Sequence, residues 1–246
     1  MNRVIDRARP RHRAERRHRH AHIGLVCAAA VLLLWVDAGS SAAVDGPQTL
    51  WTGFESGDSP SWSDDQGIDI SSDYAHTGTY GAQATATPDQ AAYLKWGYPT
   101  VTPGQRYARI GGWFRIDSAE PDESVGVFSV KNDVGVNNFD FFLNPITGRF
   151  QWDLYRYDNA SSTMTAELGK WYYVEAIVDF GGPWNNRYTA RVRINGVDQP
   201  AITSDLQVGS TIRSAFFGGP AIGKTNTREY DSLSLVLSDD PHDMTW

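Results

Sequence analysis

Two neighbouring stretches carry side chains suited to one kind of chemistry. Over 137–144, alternation puts Asn138, Asp140 and Phe142 on one face and Phe139, Phe141 and Leu143 on the other. Over 148–156, Gln151, Asp153 and Tyr155 oppose Phe150, Trp152 and Leu154. The loop Asn144-Pro145-Ile146-Thr147-Gly148 reads as a hairpin connection, so the two polar sets fall side by side. Aromatic rings stack on the C–H faces of sugars, while planar carboxylates and amides hydrogen-bond the hydroxyls. Tyr157, at a strand end, and Trp184, in a loop, extend this surface. The expected ligand-binding set is therefore Asn138, Asp140, Phe142, Gln151, Asp153, Tyr155, Tyr157 and Trp184. The plainer alternative is a solvated sheet face laced with cross-strand pairs.

Catalysis would need more. Glycoside hydrolysis uses two carboxylates about 5–10 Å apart across the scissile bond. Asp140 and Asp153 face each other across the hairpin, but many surface acids do so. The acidic run from Asp117 to Glu123 reads as a loop. Polysaccharide lysis needs a charge neutraliser and a base, and Lys131, Gln151, Arg115 and Tyr155 supply that set if they share one face. No Gly-x-Ser-x-Gly elbow is present. Phe216-Phe217-Gly218-Gly219-Pro220 is no phosphate loop, because no helical pattern follows it. A binding role without catalysis is the expectation.

The elements that must position these residues read as strands. After residue 44, apolar alternations are short and separated by Gly, Pro, Asn and Asp, with no helical period. Strands are predicted over 49–54, 67–73, 79–87, 91–97, 106–117, 124–131, 137–144, 148–156, 171–180, 187–195, 198–203, 211–217 and 230–237. Asn195-Gly196 suits a two-residue hairpin turn, since both residues adopt positive φ readily. Thirteen strands at this spacing predict two packed antiparallel sheets, an all-β sandwich. Trp113, Trp152 and Trp171 are expected in its core.

The two ends of the 246-residue chain differ in kind. Residues 1–22 hold eight Arg and four His, and an apolar run from Ile23 to Val36 follows, then Gly39-Ser40-Ser41-Ala42-Ala43. A basic start, a short apolar run and a small-residue end are the parts of a secretory signal peptide. Fourteen apolar residues fall short of the roughly 20 that span a bilayer. Residues 1–43 are therefore expected to be a cleaved leader, and 44–246 one secreted domain with no stable membrane span. The leader takes eight of the 22 basic residues and three of the 29 acidic ones, leaving a net charge of −12. That charge argues against nucleic acid as a partner and favours a neutral polysaccharide over a polyanionic one. The single Cys, Cys27, lies in the leader, so disulfides and Cys-based zinc sites are excluded from the domain.

Several motifs, in order, resemble the concanavalin A-like lectin/glucanase superfamily, and within it the bacterial laminin-G-like jelly rolls. Phe54-Glu55-Ser56-Gly57, followed by Trp62, resembles the first strand and turn. Ala75-His76-Thr77-Gly78-Thr79-Tyr80-Gly81-Ala82 resembles the His-x-Gly-x-Tyr segment. Gly169-Lys170-Trp171-Tyr172-Tyr173-Val174, then Val192-Arg193-Ile194-Asn195-Gly196, resembles the Trp–Val–Asn-Gly signature. Tyr230-Asp231-Ser232-Leu233-Ser234-Leu235 resembles the last strand. The resemblance spans roughly residues 50–238 and implies a two-sheet antiparallel jelly roll that binds carbohydrate. It also implies a structural calcium between Glu55 and Asp231, with carbonyls of the Thr77–Gly81 turn completing an oxygen shell. The simpler reading of Glu55 and Asp231 is strand capping or pairing with Arg228. The superfamily's glucanase motif, Glu-x-Asp-x-(x)-Glu, is absent. The expected function is a secreted, lectin-like polysaccharide-binding module. The alternatives are a polysaccharide lyase or glycoside hydrolase on the concave sheet, and a protein-adhesion or structural surface domain.

Overall fold

The computed structural model describes residues 47–59, 62–97, 105–132, 137–154, 158–181, 187–205, 212–219 and 225–246. Of residues 132, 137 and 138 it describes only the backbone. The expected leader, the 182–186 loop with Trp184, and Tyr155 and Tyr157 lie outside the described residues.

Sixteen strands run through the described residues: β1 (Gln48–Thr52), β2 (Asp64–Gln66), β3 (Ile68–Ser71), β4 (Gly81–Ala86), β5 (Ala92–Gly97), β6 (Tyr107–Ala119), β7 (Val125–Asn132), β8 (Asn137–Asn144), β9 (Arg149–Leu154), β10 (Asp158–Thr165), β11 (Trp171–Asp179), β12 (Tyr188–Ile194), β13 (Val197–Asp198), β14 (Ile202–Ser204), β15 (Ile212–Gly219) and β16 (Asn226–Ser238). Two 3-10 turns, Ser72–Tyr74 and Pro241–Asp243, are the helical segments among them. All pairings are antiparallel. One sheet has nine strands in the order β13-β12-β11-β6-β16-β4-β3, with β1 beside β16 and β14 beside β12. The other has seven, β10-β9-β8-β7-β15-β5-β2. The chain is an all-β, two-sheet antiparallel sandwich, as its turn spacing requires.

The apolar faces read by alternation are the ones buried. Phe139, Phe141 and Leu143 on β8, and Phe150, Trp152 and Leu154 on β9, lie in the core. So do Tyr172, Val174, Ala176 and Val178 on β11, and Ala190, Val192 and Ile194 on β12. An aromatic chain links the sheets. Phe128 stacks on Phe141 at 4.9 Å, Phe141 on Phe150 at 5.5 Å, and Phe150 meets Tyr172 edge-on at 5.0 Å. Each such contact adds about 0.5–1.5 kcal/mol beyond its area burial.

Two of the three tryptophans expected in the core are elsewhere. Trp152 is fully buried, but Trp113 and Trp171 are half-buried on the outer face of the nine-stranded sheet. The reason is strand phase. Phe114 and Tyr172 take the inward positions, so their neighbours Trp113 and Trp171 point outward.

Polar ties cross the sandwich from β16. The Tyr230 hydroxyl donates to the Val127 carbonyl at 3.1 Å. Arg228, 2% exposed, donates from Nη1 to the Gly126 carbonyl at 2.5 Å and from Nη2 to the Ala92 carbonyl at 2.9 Å. Burial lowers the pKa of Arg228 from its ordinary value and pushes Tyr230 up to about 12. A buried guanidinium is costly without partners, and these carbonyls offset part of that cost.

Candidate functional site

The outer face of the seven-stranded sheet is organised by register. Asp153 on β9 lies directly opposite Asp140 on β8, Asp140 opposite Ser129 on β7, Ser129 opposite Phe216 on β15, and Phe216 opposite Lys95 on β5. These residues form one row across five strands. In the adjacent row, Gln151 opposes Phe142, and Phe142 opposes Gly126. The wet face read from the sequence is thus a real surface.

A cavity of about 250 Å³ opens on this face, and Asp140, Phe142 and Asp153 line it with Ser129. Three of the sequence-predicted ligand residues therefore converge. Gln151 sits one rung away, and its amide is committed on both sides: Nε2 donates to Ser161 Oγ at 3.0 Å, and Oε1 accepts from Asn144 Nδ2 at 3.0 Å. Lys131 lies over the Phe216 ring at 4.6 Å, and Tyr93 meets that ring edge-on at 5.6 Å. Backbone pairing places Asn138 in β8, and its side chain lies outside the described residues, as do Tyr155, Tyr157 and Trp184.

Sequence reading missed the floor of this cavity. Arg228 and Asn226 from β16, on the opposite sheet, line it, as do Gly126, Gly218 and Gly219. The missed signal was the spacing Asn226-x-Arg228-x-Tyr230, three inward positions of a strand that extends well before residue 230. Gly218 is at φ +103, and a Cβ there would meet the Ala92 carbonyl oxygen at 2.4 Å, so this position requires glycine.

The proposed neutraliser set does not assemble. Arg115 belongs to β6 in the nine-stranded sheet, away from Lys131 and Gln151 in the seven-stranded one. There it pairs through Nη2 with Glu229 Oε1 at 2.6 Å and through Nε with Asp117 Oδ1 at 2.8 Å. Its guanidinium also lies 5.4 Å from the Trp171 ring centre. The physical reason is strand pairing: β6 joins β11 and β16, and on that sheet Arg115 shares the outward phase of Trp113. On that outer face His76 stacks on Trp113 at 3.8 Å and reaches Trp171 at 5.1 Å, and Trp113 contacts Tyr173 at 5.2 Å. Burial first, then the negative charge of Asp117, raises Glu229 to about 7, against the opposing pull of Arg115.

Glu55 and Asp231 do meet one loop. Thr79 N donates to Glu55 Oε2 at 2.9 Å. Asp231 Oδ2 accepts from His76 N at 3.0 Å, Thr77 N at 2.7 Å and Thr77 Oγ1 at 3.1 Å. The loop thus presents amide protons to the carboxylates, where a calcium shell needs oxygen donors. As placed, the two carboxylates clamp the 76–79 turn through its amide protons. Arg228 pairs with neither residue, because its Nη atoms are taken by carbonyls across the sandwich.

No family model matches the chain, and no curated protein does. Solved structures do. The cellulose induced protein Cip1 has a TM-score of 0.57 at 15% identity, over 78% of this chain and 97% of that one. A carbohydrate esterase from Shiga toxin-encoding bacteriophage phi24B has 0.53 at 16% identity, over 78% and 100%. An endo-beta-1,4-glucuronan lyase from the fungus Trichoderma reesei has 0.52 at 11% identity, over 71% and 90%. At these identities the likeness is one of fold: this sandwich has an architecture also found in carbohydrate-active proteins.

Proposed function

We propose that the sandwich is a secreted carbohydrate-binding module that holds polysaccharide on the outer face of its seven-stranded sheet. The observation that carries this reading is the cavity on that face, where two carboxylates and the Phe142 ring converge. Carboxylates accept hydroxyl protons, and the ring offers a stacking surface. The similar architecture of a carbohydrate esterase and a glucuronan lyase supports the reading at the level of fold. Export by a leader over residues 1–43 belongs to the same proposal.

Affinity electrophoresis over a panel of neutral and acidic polysaccharides, paired with product detection, tests it. The expected result is retardation by a neutral polysaccharide without product release. Asp140→Asn and Asp153→Asn should each weaken binding about tenfold, the loss expected for one charge-assisted hydrogen bond. Retardation by no polysaccharide sinks the proposal and leaves protein adhesion.

One observation favours a second reading, glycoside hydrolysis. Asp140 and Asp153 are direct cross-strand partners on the cavity wall. Opposed residues hold their Cβ atoms roughly 4.5–5.5 Å apart, which suits the carboxyl spacing of about 5–5.5 Å used by retaining enzymes. New reducing ends, lost in Asp140→Asn, would establish it.

A further inference from the structure

We infer that the cavity is a blind pocket for a single terminal sugar unit, recognised at its floor by Arg228 and Asn226 of the opposite sheet. This rests on the reading of the face as a glycan site and sharpens what that face selects. The floor residues are core residues of the other layer: Arg228 is 2% exposed and Asn226 3%. A sugar chain entering here meets the interior of the sandwich and cannot continue through it. A volume of about 250 Å³ is also below the 300–1,000 Å³ range of drug-sized ligand pockets. A chain end or a one-sugar branch fits; the middle of a chain does not.

The polar atoms around the cavity point to a hydroxyl-bearing, uncharged ligand. Three side chains at least nine-tenths buried line it, and each also holds a polar atom, closed to water, that has no hydrogen-bond partner: Arg228 Nε, Asn226 Oδ1 and Ser129 Oγ. Arg228 Nε is a donor, Asn226 Oδ1 an acceptor and Ser129 Oγ both. Asp140 and Asp153 add acceptors on the wall. A sugar hydroxyl accepts one proton and donates another, so it serves a donor such as Arg228 and an acceptor such as an aspartate at once. A carboxylate could satisfy the arginine but would face two aspartates.

Glycines make the opening. Gly126 and Gly219 line the cavity where side chains would otherwise close it. Neither is held by a positive φ, and each has room for one methyl group. A Cβ on Gly219 would meet Arg228 Nη1 at 3.6 Å, and a Cβ on Gly126 would meet the Gly218 carbonyl oxygen at 3.6 Å, both ordinary contacts. Gly126→Ala and Gly219→Ala therefore narrow the pocket while leaving the fold intact.

The test is a calorimetric titration with glucose, galactose, mannose and xylose, with trisaccharides of each, and with trisaccharides bearing a single-sugar branch. One free monosaccharide should bind and compete fully with its own trisaccharide. Gly126→Ala and Gly219→Ala should each weaken that binding at least about tenfold with an unchanged melting midpoint. Preference for the linear or the branched trisaccharide separates a chain end from a branch as the source. Wild-type affinity in both alanine variants, or binding that grows with chain length and ignores the monosaccharide, overturns the pocket. If Asp140→Asn still weakens polysaccharide binding about tenfold in that case, the sheet-face reading survives alone. Failure of every sugar and polysaccharide to bind the wild type overturns both.

Discussion

Glu229 shows how a single side chain carries information that alternation cannot. Its position on β16 is outward, yet it is 3% exposed, beneath Arg115 and Gln83. Burial lifts its pKa from 4.5 to about 7. The folded protein therefore holds a proton there that the unfolded chain releases at lower pH. The sign follows from linkage: the group stabilises the fold fully below about pH 4.5, and the contribution is lost as pH rises to about 7. Glu229→Gln removes the titration. Melting midpoints of wild type and variant from pH 4 to pH 8 should diverge in favour of the variant as pH rises through that window. A constant difference would show that folding leaves the Glu229 pKa unshifted. The same residue-scale reasoning explains Arg115. Its type suited an anionic transition state, but its strand phase placed it over Trp171 and beside Glu229, whose raised pKa it partly offsets.

At the scale of elements, the hairpin β8–β9 does two jobs with one alternation. Its inward set builds the aromatic chain, and its outward set lines the cavity. Phe150 contacts Phe114, Phe141 and Tyr172, so it couples this hairpin to the other sheet. Phe150→Ala should cost about 3–5 kcal/mol of stability, as large aromatic deletions in cores do. Chemical denaturation reads that loss directly, and a cost under 1 kcal/mol would mean the site collapses to fill the void. Alternation made β8 legible to the residue, since it matches its predicted range, while β9 begins one residue later than expected. It did not reveal β10, Asp158–Thr165, where Asn159, Ala160, Ser161 and Ser162 give no apolar period. That strand exists through pairing with β9 at the sheet edge, an interaction its own residues do not advertise. The short β2, Asp64–Gln66, was missed for the same reason.

For the whole molecule, the clamp at the 76–79 turn decides how global stability responds to metal. Glu55 and Asp231 tie β1's end and β16 to one loop through amide protons. A calcium ion that binds only the folded state must raise the melting midpoint. With the carboxylates already engaged, thermal melting should give the same midpoint with chelator and with millimolar calcium. A midpoint raised by calcium would establish the metal site that the resemblance implied.

The class of fold, the inward faces of β8, β9, β11 and β12, and the wet surface carrying Asp140, Phe142 and Asp153 are legible in the order of residues. All of these follow from local period and turn chemistry, which neighbouring residues encode without reference to distant ones. The packed sandwich was needed to place Arg115 on the other sheet, to give Glu55 and Asp231 their amide protons, and to bring Arg228 and Asn226 to the cavity. Those outcomes depend on which strands become neighbours across the sandwich and on their relative phase. Both are set by packing two sheets against each other, over separations such as the 102 residues between Arg228 and Gly126.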